Sequence, residues 1–335
     1  MQTGNSMKKI LEHLFNHHTL SRSEAKNILG KISEGKFNAN QISAFLTVFQ
    51  MRSITVEELT GFRDCLRERC NLIDLKAFDP IDLCGTGGDG KDTFNISTLA
   101  SFITAGTGVK VAKHGNYGVS SSCGSSNVME YLGYQFTNDT DRLKRQIDQS
   151  GICFLHAPLF HPAMKEVAPI RRSIGVRTFF NMLGPMVNPS FPQKQLVGVF
   201  SLELQRYYKY IYEQENIEYR IVHSLDGYDE ISLTSDAKII SPEKEWIFRS
   251  SEVTSRKITQ ASLHGGKDVP ESAKLFIDIL DGKGSFEQNT VATTNAAMAI
   301  QCSQPDKTME EAMALASESL ESGRAKNALQ TLLSL

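Results

Sequence analysis

The first seventy residues place apolar side chains at helical intervals, as in QISAFLTVFQM at 41–51. Ser21 precedes Glu24 by three residues, which is the spacing of a capping box. The same spacing recurs at Thr55 and Glu58. In such a pair, each side chain satisfies a backbone N–H that the first helical turn leaves unpaired. The pattern therefore predicts a small domain made of helices.

From about residue 78, short apolar runs alternate with helical stretches. The runs, in chain order, are PIDLC at 80–84, VKVAKH at 109–114, GICFLH at 151–156, QLVGVF at 195–200 and YRIVHS at 219–224. Strands that alternate with helices predict a mostly parallel sheet with helices on both faces. The turn-rich segment from Asp226 to Phe248 predicts an antiparallel addition before the C-terminal helices.

The segment at 161–190 interrupts this alternation, because it is too long for an ordinary crossover and carries its own turn signals. We expect it to return to the helical domain. The sequence thus predicts an α/β protein with a small all-helical N-terminal domain at 1–74, joined by helices from about 161–190. The larger α/β domain, with a mostly parallel central sheet, is expected at 75–335. A chain of 335 residues is long enough for both.

The composition is that of an ordinary globular protein, with 40% hydrophobic residues and a net charge of −2. That charge provides no global field to attract a nucleic acid or an anionic membrane, so we expect neither partner and any anion site must be local. The 6 cysteines form no C-x-x-C pair. Charged residues interrupt the apolar residues of the N-terminal segment, and no apolar run reaches the roughly 20 residues of a membrane span. These features predict a cytoplasmic protein.

The stretch DLCGTGGDGKDTFN, after the first predicted strand, partly fits two phosphate-binding patterns. Gly85, Gly87 and Gly90 fit the G-x-G-x-x-G pattern of dinucleotide-binding proteins, which also needs an acid about 20 residues later for the ribose. That region reads VKVAKHG and is basic. The same loop and Lys91 fit the nucleoside-triphosphate pattern, but Asp92 stands where a magnesium-binding Ser or Thr is required. Neither interpretation is therefore favoured.

Features that both patterns share still favour a phosphate site. Glycines let backbone amides approach an anion, and a helix start offers unpaired N–H groups and a positive dipole end. NIST at 95–98 adds hydroxyls and a helix cap. Lys113 and His114 end the next predicted strand, and VSSSCGSS at 119–126 precedes another helix. A single such stretch would be an ordinary turn, whereas three in succession at strand ends predict a phosphate site.

Six motifs resemble, in order and across most of the chain, those of the anthranilate phosphoribosyltransferase family. They read GTGGDG, NIST, KHGN, HPAMK, RRSIG-RT-FN-LGP--NP at 171–189 and DE at 229–230. This family joins anthranilate to the ribose of phosphoribosyl pyrophosphate (PRPP), an early step of tryptophan synthesis. The resemblance implies a nucleoside-phosphorylase-like fold, with a helical domain, a larger α/β domain and the active site between them. It also implies Mg²⁺ as cofactor and a homodimer joined through the helical domain.

The resemblance also implies roles for individual residues. It places anthranilate against Gly85, Asn116 and Arg171, and magnesium against Ser97, Asp229 and Glu230. The family most often has arginine after KHGN, whereas this chain has Tyr117, which puts the usual contact there in question. PRPP is implied to contact Gly85, Gly88, Asp89, Thr93, Asn95, Ile96, Ser97, Thr98, Lys113, His114, Gly115, Asn116, Tyr117, Gly118, Val119, Ser120, Ser121 and Ser125.

The chemistry of this transfer constrains several residues. Asp89 and Asp92 would repel pyrophosphate unless a divalent cation intervened, although Asp89 could instead accept a hydrogen bond from a ribose hydroxyl. No nucleophilic triad is expected, because a neutral aromatic amine attacks C1 after pyrophosphate departs. His114 is a candidate general base, but we favour the interpretation that it orients its loop. His156 and His161 are assigned to structure or to the tunnel for the aromatic substrate.

Two rival functions remain open at this point. A pyrimidine nucleoside phosphorylase shares the fold and uses inorganic phosphate, but it needs no metal and has a different glycine loop. The acids at 229–230 and the motif at 171–189 argue against it. A divergent, non-catalytic relative that binds nucleic acid would require a basic surface, whereas this chain is slightly acidic.

Overall fold

A computed structural model describes residues 6–118 and 123–335, which divide into two compact units. The first unit comprises the described residues up to Leu72 together with Pro158–Pro189, and the second comprises Ile73–Ala157 and Ser190–Leu335. The predicted fold class is confirmed: the first unit is helical, and the second is an α/β domain with a mostly parallel sheet. No helix among these residues is both long enough and apolar enough to cross a bilayer.

The first unit consists of short helices with well-defined caps. Its helices are α1 (Met7–Phe15), α2 (Arg22–Ser33), α3 (Ala39–Met51), α4 (Val56–Glu68) and α9 (Ala168–Ile174), with 3-10 turns at Pro162–Met164, Phe179–Met182 and Gly184–Val187. The capping boxes predicted at the starts of α2 and α4 are both present. The short helix α8 (Ala157–Phe160) begins at the unit boundary.

The core of the first unit is a cluster of phenylalanine rings. Phe45, Phe49 and Phe62 come from α3 and α4, and Phe179 and Phe180 come from the later segment of the unit. The rings of Phe62 and Phe179 stack with centroids 4.3 Å apart, and Phe49 meets Phe179 edge-on at 5.0 Å. Aromatic pairs in these geometries contribute beyond the area they bury. The cluster therefore fastens the segment at 158–189 to α3 and α4.

Glu58 has a second task besides capping α4. Its carboxylate accepts a hydrogen bond from Leu20 N at 2.9 Å and contacts the Arg52 guanidinium at 2.6 and 2.9 Å. Glu58 is fully buried, and the Arg52 side chain is only 16% exposed. A buried carboxylate that satisfies both a backbone amide and an arginine is costly to remove, since the arginine is left without its counter-charge.

The second unit is built on one seven-stranded sheet with the order β3-β2-β1-β4-β5-β6-β7. The strands are β1 (Ile81–Gly85), β2 (Val111–Gly115), β3 (Ile152–His156), β4 (Lys194–Gly198), β5 (Glu218–Ser224), β6 (Ala237–Ile240) and β7 (Glu245–Phe248). The first five strands are parallel, whereas β6 and β7 pair antiparallel. All five predicted strands and the antiparallel addition are therefore confirmed.

Helices cover this sheet and supply most of the core. They are α5 (Ile96–Gly106), α6 (Ser125–Tyr131), α7 (Thr140–Ser150), α10 (Leu202–Tyr212), α11 (Val269–Leu280), α12 (Phe286–Ser303), α13 (Met309–Glu321) and α14 (Arg324–Ser334), with 3-10 turns at Lys76–Phe78, Ser250–Glu252 and Gln260–Leu263. The apolar core joins one face of the sheet to α5, α11, α12, α13 and α14. Because β1 to β5 are parallel, their carboxyl ends lie at the same edge of the sheet. This edge is where α/β sheets bind ligands.

Replacing Glu58 with Ala tests the buried pair in the first unit. We expect the free energy of unfolding to fall by about 3 kcal/mol, because the Arg52 charge and the Leu20 amide lose their shared acceptor. Urea unfolding followed by far-UV circular dichroism measures the change. Glu57→Ala is the matched control, since Glu57 is exposed on the same helical turn and should change stability by less than about 1 kcal/mol. Equal losses in both variants would contradict this role.

Candidate active site

The glycine loop connects β1 to α5 through left-handed backbone conformations. Gly87, Gly88 and Gly90 have φ angles of 63°, 81° and 71°. Only glycine adopts this region without a steric cost, which explains why the loop has glycine at these positions. The loop ends in a short pairing with a later segment, in which Gly265 N donates to Asp92 O at 2.9 Å. This second attachment was not predicted from the sequence.

The start of α5 is capped by an acid from elsewhere in the fold. Asn95 occupies the cap position, but its side chain makes no capping bond and instead donates to Cys123 O at 3.1 Å. The prediction that NIST caps its own helix is thus correct for the position and wrong for the side chain. Ser97 N donates to Glu230 Oε1 at 3.0 Å, so a carboxylate occupies the positive end of the helix dipole.

Asp229 meets the glycine loop directly. Its Oδ2 accepts a hydrogen bond from Gly87 N at 2.7 Å, across 142 residues of sequence. Asp229 is buried, and burial together with the neighbouring Asp89 raises its pKa to about 7. Burial and the charges of Asp229 and Asp89 also raise the pKa of Glu230 well above its ordinary value. The sequence-predicted acid pair therefore lies at the loop as a strained cluster of like charges.

Two further glycines allow this close approach. A methyl group built on Gly85 would overlap Asp229 Oδ2, and one built on Gly198 would overlap the Asp229 backbone carbonyl. Gly85 was predicted as a site residue, whereas Gly198 was missed. The available signal was a glycine inside the apolar strand QLVGVF, since such a glycine often marks a close backbone approach.

Side chains join β1 and β2 beyond their first register pair. Lys113 Nζ donates to Leu83 O at 2.6 Å, and His114 N donates to Asp82 Oδ1 at 3.1 Å. In an uninterrupted parallel ladder, the His114 N–H would donate to a carbonyl of β1. Side-chain bonds therefore join the two strands near the start of the glycine loop. Lys113 Nζ also lies 3.4 Å from Ser97 Oγ, which brings a cation beside the start of α5.

The loop after β2 is closed by an asparagine. Gly118 N and Gly124 N both donate to Asn127 Oδ1 at 3.0 Å. Asn116 O accepts from Ser126 N at 3.3 Å and from Ser125 Oγ at 3.4 Å, so these predicted site residues lie together. The predicted residues Val119, Ser120 and Ser121 lie outside the described part of the chain.

Tyr117 is 38% exposed, and its side chain contacts other residues of the same unit. The hydroxyl donates to Glu130 Oε1 at 3.1 Å, and the ring meets the His156 ring edge-on with centroids 4.9 Å apart. His156 in turn stacks on Phe136 at 4.3 Å and hydrogen-bonds Ser126 Oγ at 2.9 Å. Tyr117 therefore occupies the family's usual arginine position as part of a packed aromatic group.

The other two histidines considered from the sequence, His114 and His161, are buried. His114 follows Lys113 on β2, and because successive strand residues point to opposite faces, it faces away from Ser97. His161 belongs to the first unit, where burial lowers its pKa to about 4. A histidine with so low a pKa stays neutral at pH 7, which suits a structural role better than proton transfer.

Arg171 lies on α9 in the first unit. Its Nη2 donates to Asn181 Oδ1 at 3.0 Å, and its guanidinium carbon lies 5.2 Å from the centre of the Phe180 ring. The side chain is half-buried, and burial lowers its pKa to about 10. Both of these contacts are with neutral groups, so neither supplies a counter-charge to the guanidinium.

Several predicted residues line one cavity of the second unit. Its walls are Leu83, Cys84, Gly85, Ser97, Ala100, Leu196, Gly198, Val222, Asp229, Glu230 and Asn295. The oxygen atoms of Ser97, Asp229 and Glu230 are hard ligands of the kind that magnesium prefers. Across residues 6–118 and 123–335, no group of three His, Cys, Asp or Glu side chains forms a ready-made metal site. Magnesium fits this arrangement, since it commonly binds one or two carboxylates together with substrate phosphates.

Comparison with known proteins also separates a helical part of the chain from an α/β part. Residues 78–326 match the family described as glycosyl transferase family, a/b domain, and residues 8–70 match its helical bundle domain. Anthranilate phosphoribosyltransferase from Flavobacterium johnsoniae is 60% identical over 330 residues, which cover 97% of this chain and 98% of that protein. The chain belongs to the anthranilate phosphoribosyltransferase family. The predicted resemblance is therefore confirmed.

Solved structures of the family are similar to this chain over nearly its whole length. Anthranilate phosphoribosyltransferase from Thermus thermophilus is 30% identical, with a TM-score of 0.88 and coverage of 97% of this chain and 98% of that one. The enzyme from Saccharomyces cerevisiae in complex with PRPP and Mg is 26% identical, with a TM-score of 0.90 and coverage of 98% and 97%. Neither rival function receives support from these relatives.

Asp229→Asn tests the strain of the acid cluster in the protein without substrates. An acid with a raised pKa binds more protons in the folded state between its ordinary value of 3.8 and about 7, so stability falls as pH rises through that window. We therefore expect the variant to unfold at a higher temperature than the wild type at pH 8, with a smaller difference at pH 5. Calorimetry without magnesium measures both midpoints.

The control for this measurement is Asp306→Asn, which neutralises an exposed aspartate between α12 and α13. It should leave the midpoints nearly unchanged at both pH values, because an exposed surface charge contributes little. An Asp229→Asn midpoint at or below that of the wild type at pH 8 would contradict the account of the cluster.

Proposed function

We propose that this protein transfers the phosphoribosyl group of PRPP to the amine of anthranilate, giving N-(5-phosphoribosyl)anthranilate and pyrophosphate in tryptophan biosynthesis. The observation that carries the proposal is the acid pair Asp229–Glu230 beneath the glycine loop, in a chain 60% identical to a named member of the family. A cluster formed by the buried Asp229 and the half-buried Glu230, beside a loop of backbone amides, suits a ligand that brings phosphates and a cation together.

PRPP would lie along the strand ends of the second unit. The loop amides around Gly88 and the N–H groups at the start of α5 supply donors for its phosphates. Lys113 supplies a nearby positive charge, and Asn116 and Ser125 extend the polar surface beyond β2. We assign the other PRPP contacts to Gly85, Asp89, Thr93, Asn95, Ile96, Ser97, Thr98, His114, Gly115, Tyr117, Gly118, Val119, Ser120 and Ser121.

Magnesium would be held by Ser97, Asp229 and Glu230 in this proposal. When bound, it would offset the negative charge of the pyrophosphate leaving group. The raised pKa values of the two acids support this assignment, because buried like charges are relieved by a cation. Magnesium accompanies PRPP in the solved structure of the Saccharomyces cerevisiae enzyme.

The bond changes need few protein groups. The bond from ribose C1 to the pyrophosphate oxygen breaks with its electron pair leaving on pyrophosphate, and the anthranilate nitrogen forms the new bond to C1 and then loses a proton. Loop amides, Lys113 and the helix start can stabilise the departing charge, so most of the rate enhancement comes from positioning and electrostatics. His114, which is buried and faces away from Ser97, is assigned to orienting its loop.

Anthranilate would be recognised through its carboxylate by Arg171, with Gly85 and Asn116 as further contacts. We also propose that the protein forms a homodimer through its helical domain and works in the cytoplasm, where its six thiols remain reduced.

The direct test is an activity assay. Anthranilate fluorescence should decrease when PRPP and magnesium are both present, and it should stay constant when either is omitted. Thymidine phosphorolysis and a gel-shift titration with nucleic acid should both be negative. Constant fluorescence under all conditions, with active phosphorolysis, would replace the proposal by its nearest rival.

Arg171→Ala tests the placement of anthranilate. A charge-assisted hydrogen bond contributes roughly 1.5 to 3 kcal/mol, so KM for anthranilate should rise about ten- to 150-fold. KM for PRPP should change much less, and Arg171→Lys should restore only part of the loss, since lysine lacks the planar fork. Steady-state kinetics measures both constants.

Arg172→Ala is the matched control, because Arg172 is the exposed neighbour on the same helix. Its KM for anthranilate should stay within about twofold of the wild type, as expected for a surface charge. Equal weakening of both substrates by Arg171→Ala would place that arginine in support of the fold and refute its role toward anthranilate.

A further inference from the structure

We propose that Asn295 is the positioning residue that fixes the acid pair Asp229–Glu230 for binding magnesium and PRPP. This inference rests on the proposed function and adds to it a residue far from every phosphate-binding motif. Asn295 lies in the middle of α12 and is buried, with 4% of its surface exposed. It also lines the same cavity as both acids.

The hydrogen bonds of Asn295 are directed at the residue that follows the acid pair. Its Oδ1 accepts from Ile231 N at 3.0 Å, and its Nδ2 donates to Ile231 O at 2.9 Å. The second Nδ2 hydrogen reaches Val291 O, one turn earlier on α12, at 2.9 Å. The amide therefore pairs with both backbone groups of Ile231 as a neighbouring strand would, and it is tied to the helix at the same time.

Only an amide of this length meets all three requirements. An aspartate could accept from Ile231 N but could not donate to Ile231 O or Val291 O, and an alanine could do neither. The acids themselves are restrained through backbone amides of other segments, Gly87 for Asp229 and Ser97 for Glu230. In this proposal, the hydrogen bonds that hold the backbone of Ile231 set how deeply the two acids enter the cavity.

A second set of hydrogen bonds holds the same turn from its other side. Ser224 Oγ, at the end of β5, donates to Glu230 O at 2.6 Å and accepts from Ser232 N at 3.2 Å. Together with Asn295, it satisfies the backbone of a turn that would otherwise be free to relax away from the repelling acids. We expect the hydrogen bonds of Asn295 and those of Ser224 to be partly redundant for folding. Of these two residues, Asn295 is the one that lines the cavity.

The test compares Asn295→Ala and Asn295→Asp with the wild type and with Thr294→Val. Thr294 is the adjacent residue on α12, is fully buried, and donates within its own helix, to Thr290 O. Isothermal titration calorimetry measures PRPP binding at a series of magnesium concentrations without anthranilate, so the readout does not depend on turnover. Thermal unfolding and steady-state kinetics are measured on the same samples.

We expect both Asn295 variants to bind PRPP at least about tenfold more weakly at limiting magnesium, which is the usual effect of losing a partner that orients a metal ligand. High magnesium should recover part of the loss, and KM for anthranilate should stay within about twofold. Thr294→Val should lower the unfolding temperature by a similar amount and leave binding unchanged.

Two results would overturn the proposal. If Asn295→Ala and Asn295→Asp remain folded and bind PRPP with the wild-type magnesium dependence, Asn295 does not position the acids. If Thr294→Val weakens binding as much as they do, the effect belongs to the packing of α12. A wild type that binds PRPP with magnesium but leaves anthranilate unchanged would refute the proposed function while leaving this test readable.

Discussion

The second unit depends on the enclosure of two carboxylates beneath a loop of glycines. Burial raises the pKa of both Asp229 and Glu230, so the ionised pair is costly in the protein without ligands. Their positions are nevertheless fixed by Gly87 N, by the start of α5 and by the turn that Asn295 and Ser224 hold. In the proposed function, stability is given up locally so that a cation and a phosphorylated substrate would meet a preformed set of oxygen atoms.

This enclosure explains why glycine occurs where it does. Gly85 ends β1 and Gly198 ends β4, two neighbouring parallel strands, and any side chain at either position would displace Asp229. On the other side of β1, the pairing with β2 is different. Side-chain hydrogen bonds of Asp82 and Lys113 replace part of the backbone ladder between these two strands. The sheet therefore leaves room for the acid at the ends of β1 and β4, and it joins β1 to β2 partly through side chains.

Sequence patterns predicted the helices and strands better than the tertiary contacts between them. All five parallel strands and both capping boxes follow from local periodicity and spacing, which depend on near neighbours. The cap position of Asn95 was predicted correctly, but its side chain was assigned wrongly, because an acid from beyond β5 accepts from the helix amide, a tertiary contact that no local rule contains. Asn295 was missed for the same reason, since its partner Ile231 lies 64 residues away. Its one signal was a polar residue within the alanine-rich stretch of a buried helix.

The most direct test of the acid pair as a cation site is diffraction from crystals grown with PRPP and manganese, recorded for the anomalous signal of the metal. The account predicts a peak at coordination distance, roughly 2.2 Å, from an oxygen of Asp229 or Glu230 and from a PRPP phosphate. The contradicting result is a metal bound to PRPP alone, with Asp229 and Glu230 still hydrogen-bonded to Gly87 and Ser97 and out of reach of the cation.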